Sequence, residues 1–459
     1  MGFRPGALPR GVWSVEANAQ RQVPVDDAVA KAIAALPPAH VFRRDLLAYC
    51  TLRNLIPHPQ LLPLHPDEEE RQGAASSETS TSSNVYDVSE VEQLLVKHWQ
   101  LDDGNFRAMC FALPFSLKIR SVCLFNVGLN KEQLQLLCST IPKTHVTALQ
   151  LEWNSITSSD VTSESTSTEA NTSSVSISQS SGVASRPPSA PKTALRPPSA
   201  GVTSKQHHTT HAGDPTKLIE DQKLELRMQQ ELQAGEDSSE MFAQLISEGS
   251  ELVFLSLRAN GINSRGAVAL AKAIRQNKTL EALNLFQNSI GDAGARAFAH
   301  ALPFNTVLKT LSLANNKISG RGAKLLVDGI TKYVAPPELL AEFDAAESQI
   351  QAQMDHAKKA KKKIDRATAI AQLGLPALET VDGVQYAPGN STLEELLLSG
   401  NGQIDPCDVE TLSEALELYQ PKLQSHLRSI KLQRLPKMHQ TKTQEHQQHM
   451  QHLSEFIKL

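Results

Sequence analysis

The chain has 459 residues, 45 Lys and Arg against 49 Asp and Glu, a net charge of -4, and only 5% aromatic side chains. That near balance argues against a dedicated nucleic-acid binder, which carries a basic excess, and the apolar runs fall well short of the ~20 residues that span a bilayer. The cysteines, Cys50, Cys110, Cys123, Cys138 and Cys407, are odd in number and scattered, which fits a reduced, intracellular, cytoplasmic protein without a disulfide framework.

In chain order, residues 1–84 hold two short helices, around Asp26–Ala35 and Phe42–Leu52, parted by Pro37 and Pro38. With the proline-broken and acidic stretches that follow, they read as a loosely ordered N-terminal arm. Residues 85–156 open a repeat array. A first imperfect strand runs from Leu95 to Leu101, with Met109 and Leu113 as its helix pair. The next unit reads Ile119, Val122, Leu124, Val127, Leu129, and the third reads Val146, Leu149, Leu151, Asn154, Ile156. Val127 stands where Asn154 stands one unit later, which leaves that rung of the pattern open.

Residues 157–237 are a Ser/Thr/Pro-rich insertion expected to be disordered. Of residues 157–181, 16 of 25 are Ser or Thr, too polar to offset the entropy of ordering. A duplicated Arg-Pro-Pro-Ser-Ala follows at Arg186–Ala190 and Arg196–Ala200, then a lone charged helix over Leu218–Leu232. Met241–Glu248 reads as the helix that the strand before Asn154 lacks. Ile262 precedes Gly266 by 4 residues while Ile156 precedes the equivalent Ser238 by 82, so one repeat is split by a 78-residue insertion.

Residues 238–333 are the central repeats. Leu252, Leu280 and Leu308 are 28 apart, as are Leu255, Leu283 and Leu311, and Leu257, Leu285 and Leu313. Asn260, Asn288 and Asn316 follow in step, then Gly266, Gly294 and Gly322. Residues 334–391 form a charged helical insertion. Leu308 and Leu393 are 85 apart instead of 28, and Pro337–Leu373 reads as one long helix. Residues 392–435 carry the C-terminal repeat (Leu393, Leu396, Leu398, Asn401) and a cap (Leu427, Ile430, Leu432), and 436–459 are a Gln/His-rich tail.

Each unit reads L-x-x-L-x-L-x-x-N-x-I, then Gly-Ala, then an amphipathic helix. The L-x-L core alternates with period two, the mark of a strand with one buried face. Leu270 and Ile274, Phe298 and Leu302, and Leu326 and Ile330 are four apart on one helix face. One unit cannot bury both its strand and its helix, so neighbours must stack. The expected fold class is α/β, a leucine-rich solenoid or horseshoe with parallel strands on its concave face, helices on its convex face and two long insertions. The asparagines Asn154, Asn260, Asn288, Asn316 and Asn401 are expected to form a buried ladder that satisfies orphaned peptide groups.

Leu252–Tyr333 resembles the leucine-rich repeat family, in the strand–helix subtype typified by ribonuclease inhibitor. The layout, with its late N-S-T-L-E-E-L-L-L-S-G-N unit, is similar to leucine-rich repeat proteins of eukaryotes with cilia. The resemblance implies a non-catalytic protein-binding scaffold or adaptor, in a ciliary or cytoskeletal assembly. Some relatives of the subtype activate the small GTPase Ran, which is the alternative it leaves open.

Between the buried leucines, the outward columns place Phe125, Glu152, Arg258, Asn284 and Phe286 on the concave face, with Trp153 and Phe254 alongside. Exposed aromatics beside an Arg have the composition of a protein-binding hot spot, so these are the candidate partner-binding residues. No G-x-x-x-x-G-K-S/T, C-x-x-C, H-E-x-x-H or G-x-S-x-G motif is present. No enzyme activity, cofactor, metal or small-molecule substrate is expected. The lysines of Lys358–Lys363 read as a solvated helix face, and His446, His449 and His452 as a solvated tail.

Overall fold

A computed structural model describes residues 12–62, 91–154, 215–233, 238–359, 365–439 and 453–459. Contacts divide the chain into a main unit, 1–158 with 225–459, and the segment 159–224. Of that segment the described residues are Pro215–Leu224, the first turns of a helix. The Arg-Pro-Pro-Ser-Ala pair, most of the lysine run and the three tail histidines lie outside the described residues.

In the main unit, helices α1 (Val15–Arg21), α2 (Asp27–Ala34) and α3 (Phe42–Leu52) come first. Strand β1 (Gln93–Lys97), α4 (Asp103–Ala112), β2 (Ser121–Phe125), α5 (Lys131–Thr140) and β3 (Ala148–Glu152) follow. The insertion ends with α6 (Pro215–Gln233), of which Glu225–Gln233 belong to the main unit, and after it come a 3-10 helix (Ser238–Ile246), β4 (Phe254–Ser256), α7 (Ser264–Gln276), β5 (Ala282–Asn284), α8 (Gly291–Ala301), β6 (Thr310–Ser312) and α9 (Gly320–Thr331). The second insertion carries β7 (Lys332–Val334), α10 (Pro337–Lys359), α11 (Arg366–Gln372), β8 (Glu379–Val381) and β9 (Val384–Pro388). The array closes with β10 (Glu395–Leu397), α12 (Pro406–Leu418), α13 (Gln420–Leu423), β11 (Ser429–Lys431) and β12 (Ile457–Lys458).

Nine strands form one sheet in the order β1-β2-β3-β4-β5-β6-β10-β11-β12, all parallel. This is a leucine-rich repeat solenoid. Its register aligns one residue per strand: Leu94, Val122, Leu149, Leu255, Leu283, Leu311, Leu396 and Ile430 face each other in sequence. All are buried, and each contributes roughly 2 kcal/mol of transfer free energy. Both insertions are bridged in register, since β3 pairs with β4 and β6 with β10. The segment Ser238–Ile246 packs between α5 and α7, so the split repeat is completed across the insertion, by a 3-10 rather than an α-helix.

Past each strand the chain turns through one residue with positive φ: His98, Asn126, Trp153, Ala259, Gln287 and Asn315, then Gly400 and Arg434. The asparagine ladder lies directly behind. The amide N–H of Asn154 donates to Oδ1 of Asn260 at 3.0 Å, that of Asn260 to Oδ1 of Asn288 at 3.0 Å, and that of Asn316 to Oδ1 of Asn401 at 2.7 Å. Ile290 N–H donates to Oδ1 of Asn316 at 3.4 Å. Each amide nitrogen returns a bond to the preceding unit: Asn260 to the Leu151 carbonyl, Asn288 to Leu257, Asn316 to Leu285 and Asn401 to Leu313. A second column of asparagines, not foreseen, works at the other end of the strands. Oδ1 of Asn277, Asn305 and Asn390 accepts from Leu280, Leu308 and Leu393 N–H at 2.6–2.7 Å.

Several expectations are corrected. Within 1–84, the described residues 12–62 are not a loose arm: Phe42, Leu46, Tyr49, Cys50, Leu55 and Leu61 join the main core. Asn18 and Asn105 bond the Ile56 backbone, and Asp102 accepts from Trp13 Nε1, which pins the N-terminal helices to α4. The first strand starts at Gln93, so Leu94 and Val96 are buried while Leu95 is 39% exposed. The long helix over Pro337–Leu373 is two helices, α10 and α11, with Arg366 paired to Glu347 at 2.6 Å. Strands β7, β9 and β8 form an unforeseen antiparallel sheet. The tail's end is ordered, with Phe456 and Ile457 buried and β12 on the sheet edge.

Asn288→Ala would strand the N–H groups of Asn260 and Ile262 and the Leu257 carbonyl. Denaturant unfolding should show a loss of about 3 kcal/mol, against under about 0.5 kcal/mol for Lys309→Ala, which breaks only the exposed pair with Glu281. His58 supplies a pH test. It is buried, its Nδ1 accepts from Gln60 N–H, and burial pushes its pKa down to about 4. The unfolded chain therefore binds the extra proton between about pH 6.5 and 4, so this stability is present above 6.5 and lost as pH falls. The wild type should lose about 2 kcal/mol from this group between pH 7 and 4.5, and His58→Asn should lack that part of the pH dependence.

Candidate functional site

The parallel register decides which side chains meet on the open face of the sheet. Pairing of Gln150 with Ser256 and of Ser256 with Asn284 sets these three side by side. The next outward position brings Glu152, Arg258 and Phe286 into line. Glu152 does not pair with Arg258. Its carboxylate accepts the Ser256 hydroxyl at 2.6 Å, and Asn284 Nδ2 donates to that same oxygen of Ser256 at 3.3 Å. The Phe286 N–H donates to Oδ1 of Asn284, which fixes the amide.

Arg258 lies between two rings instead. Its guanidinium carbon is 4.7 Å from the centre of the Phe286 ring and 5.9 Å from that of Trp153. Its Nε is buried without a hydrogen-bond partner, and among the described residues it forms no ion pair. Trp153 is 41% exposed, held in place by the left-handed turn after β3, where its N–H donates to the Arg258 carbonyl. A hollow of about 420 Å³ opens beside them, lined by Phe254, Arg258, Asn284, Phe286, Thr310 and Leu397.

Of the seven candidate residues, Phe254, Arg258, Asn284 and Phe286 thus line one hollow, Glu152 joins Asn284 through Ser256, and Trp153 reaches the group through Arg258. Phe125 is the register partner of Glu152 but stacks edge-on against His98, 4.9 Å between ring centres. Thr310 and Leu397 were missed. Leu397 is the middle of three consecutive leucines, Leu396 to Leu398, and the period-two rule alone turns it outward. A further aromatic group, Trp13 with His58 and Trp99, sits at the N-terminal end, with Trp99 43% exposed. Among the described residues, no cluster of His, Cys, Asp and Glu is placed to hold a metal.

The arrangement suits recognition. A cation between two rings, half out of water and without a carboxylate partner, is attracted by both ring faces and keeps its donors for an incoming acidic group. The family model described as Leucine Rich repeat matches residues 276–299 and 304–327, two consecutive units that include Phe286, Thr310 and most of the hollow's far wall. This supports a leucine-rich repeat family for the chain, in agreement with the sheet and the asparagine ladder. No curated protein matches the sequence. Leucine-rich repeats are generally non-catalytic binding modules, and no described helix is long and apolar enough to cross a membrane.

The inward and outward leucine columns separate core from surface here. Leu283→Ala, at the fully enclosed position, should cost about 3 kcal/mol in denaturant unfolding. Phe286→Ala, on the open face, should cost under about 1 kcal/mol; equal losses at the two positions would make the ring part of the core.

Proposed function

We propose that the chain is a non-catalytic interaction scaffold that takes a protein partner on the open, concave face of its sheet. The partner brings a carboxylate to Arg258 and apolar side chains to Trp153, Phe254 and Phe286. The observation that carries this reading is the Arg258 guanidinium itself, sandwiched between rings while the neighbouring carboxylate of Glu152 is spent on Ser256. Central, desolvated Arg and aromatic groups supply most of the energy of protein interfaces. The setting we propose is a cytoplasmic, ciliary or cytoskeletal assembly, supported by a layout similar to leucine-rich repeat-containing protein 71.

Proximity labelling in ciliated cells tests it, run with the wild type and with Arg258→Ala/Phe286→Ala. The double variant should keep the melting temperature within a few degrees and lose one or more specifically labelled proteins. Each such protein, purified, should bind the wild type at least tenfold more tightly than the variant. An unchanged set of labelled proteins sinks the concave-face reading. A GTP hydrolysis assay with Ran and related small GTPases separates the scaffold from a regulator: stimulated hydrolysis ends the scaffold reading.

A further inference from the structure

The last turns of α6, Glu225–Gln233, lie on the rim of the solenoid where the strands hand over to the helices. Four side chains on this stretch hold it. Met228 is 3% exposed. Glu225 takes a two-pronged pair from Arg296, 2.6 and 3.4 Å. Glu231 accepts from the Ala293 N–H at 3.1 Å and lies 3.1 Å from the Ser264 hydroxyl, whose proton goes to the Ile290 carbonyl at 2.5 Å. Arg227, on the same stretch, donates to Gln403 Oε1 at 2.9 Å. The stretch therefore touches the units of β4, β5 and β10.

The rim is shaped for this carboxylate. Helices α7 and α12 carry their own caps, Asn263 and Asp405, and Asp292 accepts from both the N–H and the hydroxyl of Ser319 at the start of α9. Helix α8 has Ile290 at its N-cap position and so no side-chain cap of its own. The position after it is Gly291, with φ +64°, and a Cβ there would stand 2.5 Å from Oε2 of Glu231. The bare glycine and the Ala293 N–H of α8 make a cradle for one carboxylate borne on a helix, and the Arg296 guanidinium takes a second. The helix that fills it presents Glu, Met and Glu at three-residue steps on one face.

We propose that this rim is a docking site for an acidic amphipathic helix of a partner protein, occupied in cis by Glu225–Gln233 as a displaceable strap. The fit is one of charge and shape: an acidic residue on the Arg296 side, an apolar one in the middle, an acidic one at the Gly291 cradle. The segment is the end of an insertion of many residues, so a strap released from the rim stays tethered beside it and rebinds when the partner leaves. The inference uses none of the open-face residues and stands or falls apart from that reading.

The test uses the full chain and a fluorescent peptide with the sequence of Pro215–Gln233 as the acidic helix. In the variant Met228→Lys/Glu231→Ala the rim is vacated, and the peptide should bind at least tenfold more tightly than to the wild type by anisotropy. A peptide with Glu225 and Glu231 replaced by Gln, or a chain that also carries Arg296→Glu, should lose that binding. Equal affinity for the two chains overturns the proposal. A second measurement does not depend on that variant folding. In the wild type, hydrogen exchange should show Glu225–Gln233 protected, with the protection lost as the peptide is added. Protection that is absent from the start, or unmoved by saturating peptide, also overturns it. The exchange Glu225→Arg with Arg296→Glu should restore protection lost in either single variant, and failure to do so counts against the pair as the anchor.

Discussion

The structure depends on the peptide groups at the end of each strand. There the chain leaves the sheet through a left-handed residue and enters a region that stacking makes dry. A buried N–H or C=O without a partner costs about 1–3 kcal/mol, and the turn leaves several per unit. Asparagine answers this because one side chain both accepts and donates. Asn288 takes N–H bonds from Asn260 and Ile262 and gives one to the Leu257 carbonyl. Every unit is thus completed by its neighbour, and the array is one cooperative body with two ends to seal. At the first end the side-chain amide of Gln60 both accepts from and donates to the Lys97 backbone, in place of a strand. At the last end β12 covers β11.

The phase of the repeat was legible because it depends on what a buried column excludes. Leu255, Leu283 and Leu311 read as inward from spacing alone, and the register places them so. The first unit was misphased by one because its asparagine column is filled by Trp99, which offers no anchor for the alignment. The helices over Asp27–Ala34 and Phe42–Leu52 were legible as helices, but their docking was not, for another reason. What holds them is tertiary: Asn18, Asn105 and Asp102 meet around the Ile56 backbone from positions far apart in sequence. The hairpin of β8 and β9 did carry its signal, Asp382-Gly383 between Val381 and Val384, both central residues with positive φ. Its strands are short and sit inside an otherwise helical segment, which masked it.

At the open face, the columns named which side chains share a surface but not how they pair. Spacing puts Glu152 beside Arg258, and a reading by charge would join them. The hydroxyl of Ser256 takes the carboxylate instead, and the rings of Trp153 and Phe286 take the cation. A guanidinium is weakly hydrated and stacks well on aromatic faces. An exposed ion pair contributes only ~0.2–1 kcal/mol, so a short hydroxyl bond and two ring faces compete with it on equal terms. The outcome leaves a positive group uncompensated on the surface, which is a feature of pairing and not of composition.

The same scale of energies separates the two insertions' consequences for the fold from their consequences for the rim. Carrying the chain from Asn154 to Asn260 across 106 residues instead of the usual single repeat adds only about 1 kcal/mol of closure entropy. One buried leucine per strand outweighs that, so the register survives and the sheet is indifferent to what lies between. The strap has no such margin. It rests on one buried methionine, one helix cap and one ion pair to the rim whose side chains are 30% and 46% exposed, terms of about 1 kcal/mol or less apiece apart from the methionine, set against the entropy of ordering its own residues. A segment held so close to balance responds to competition that would leave the core untouched, and the core's indifference to the insertion is what allows the strap to leave without unfolding its host.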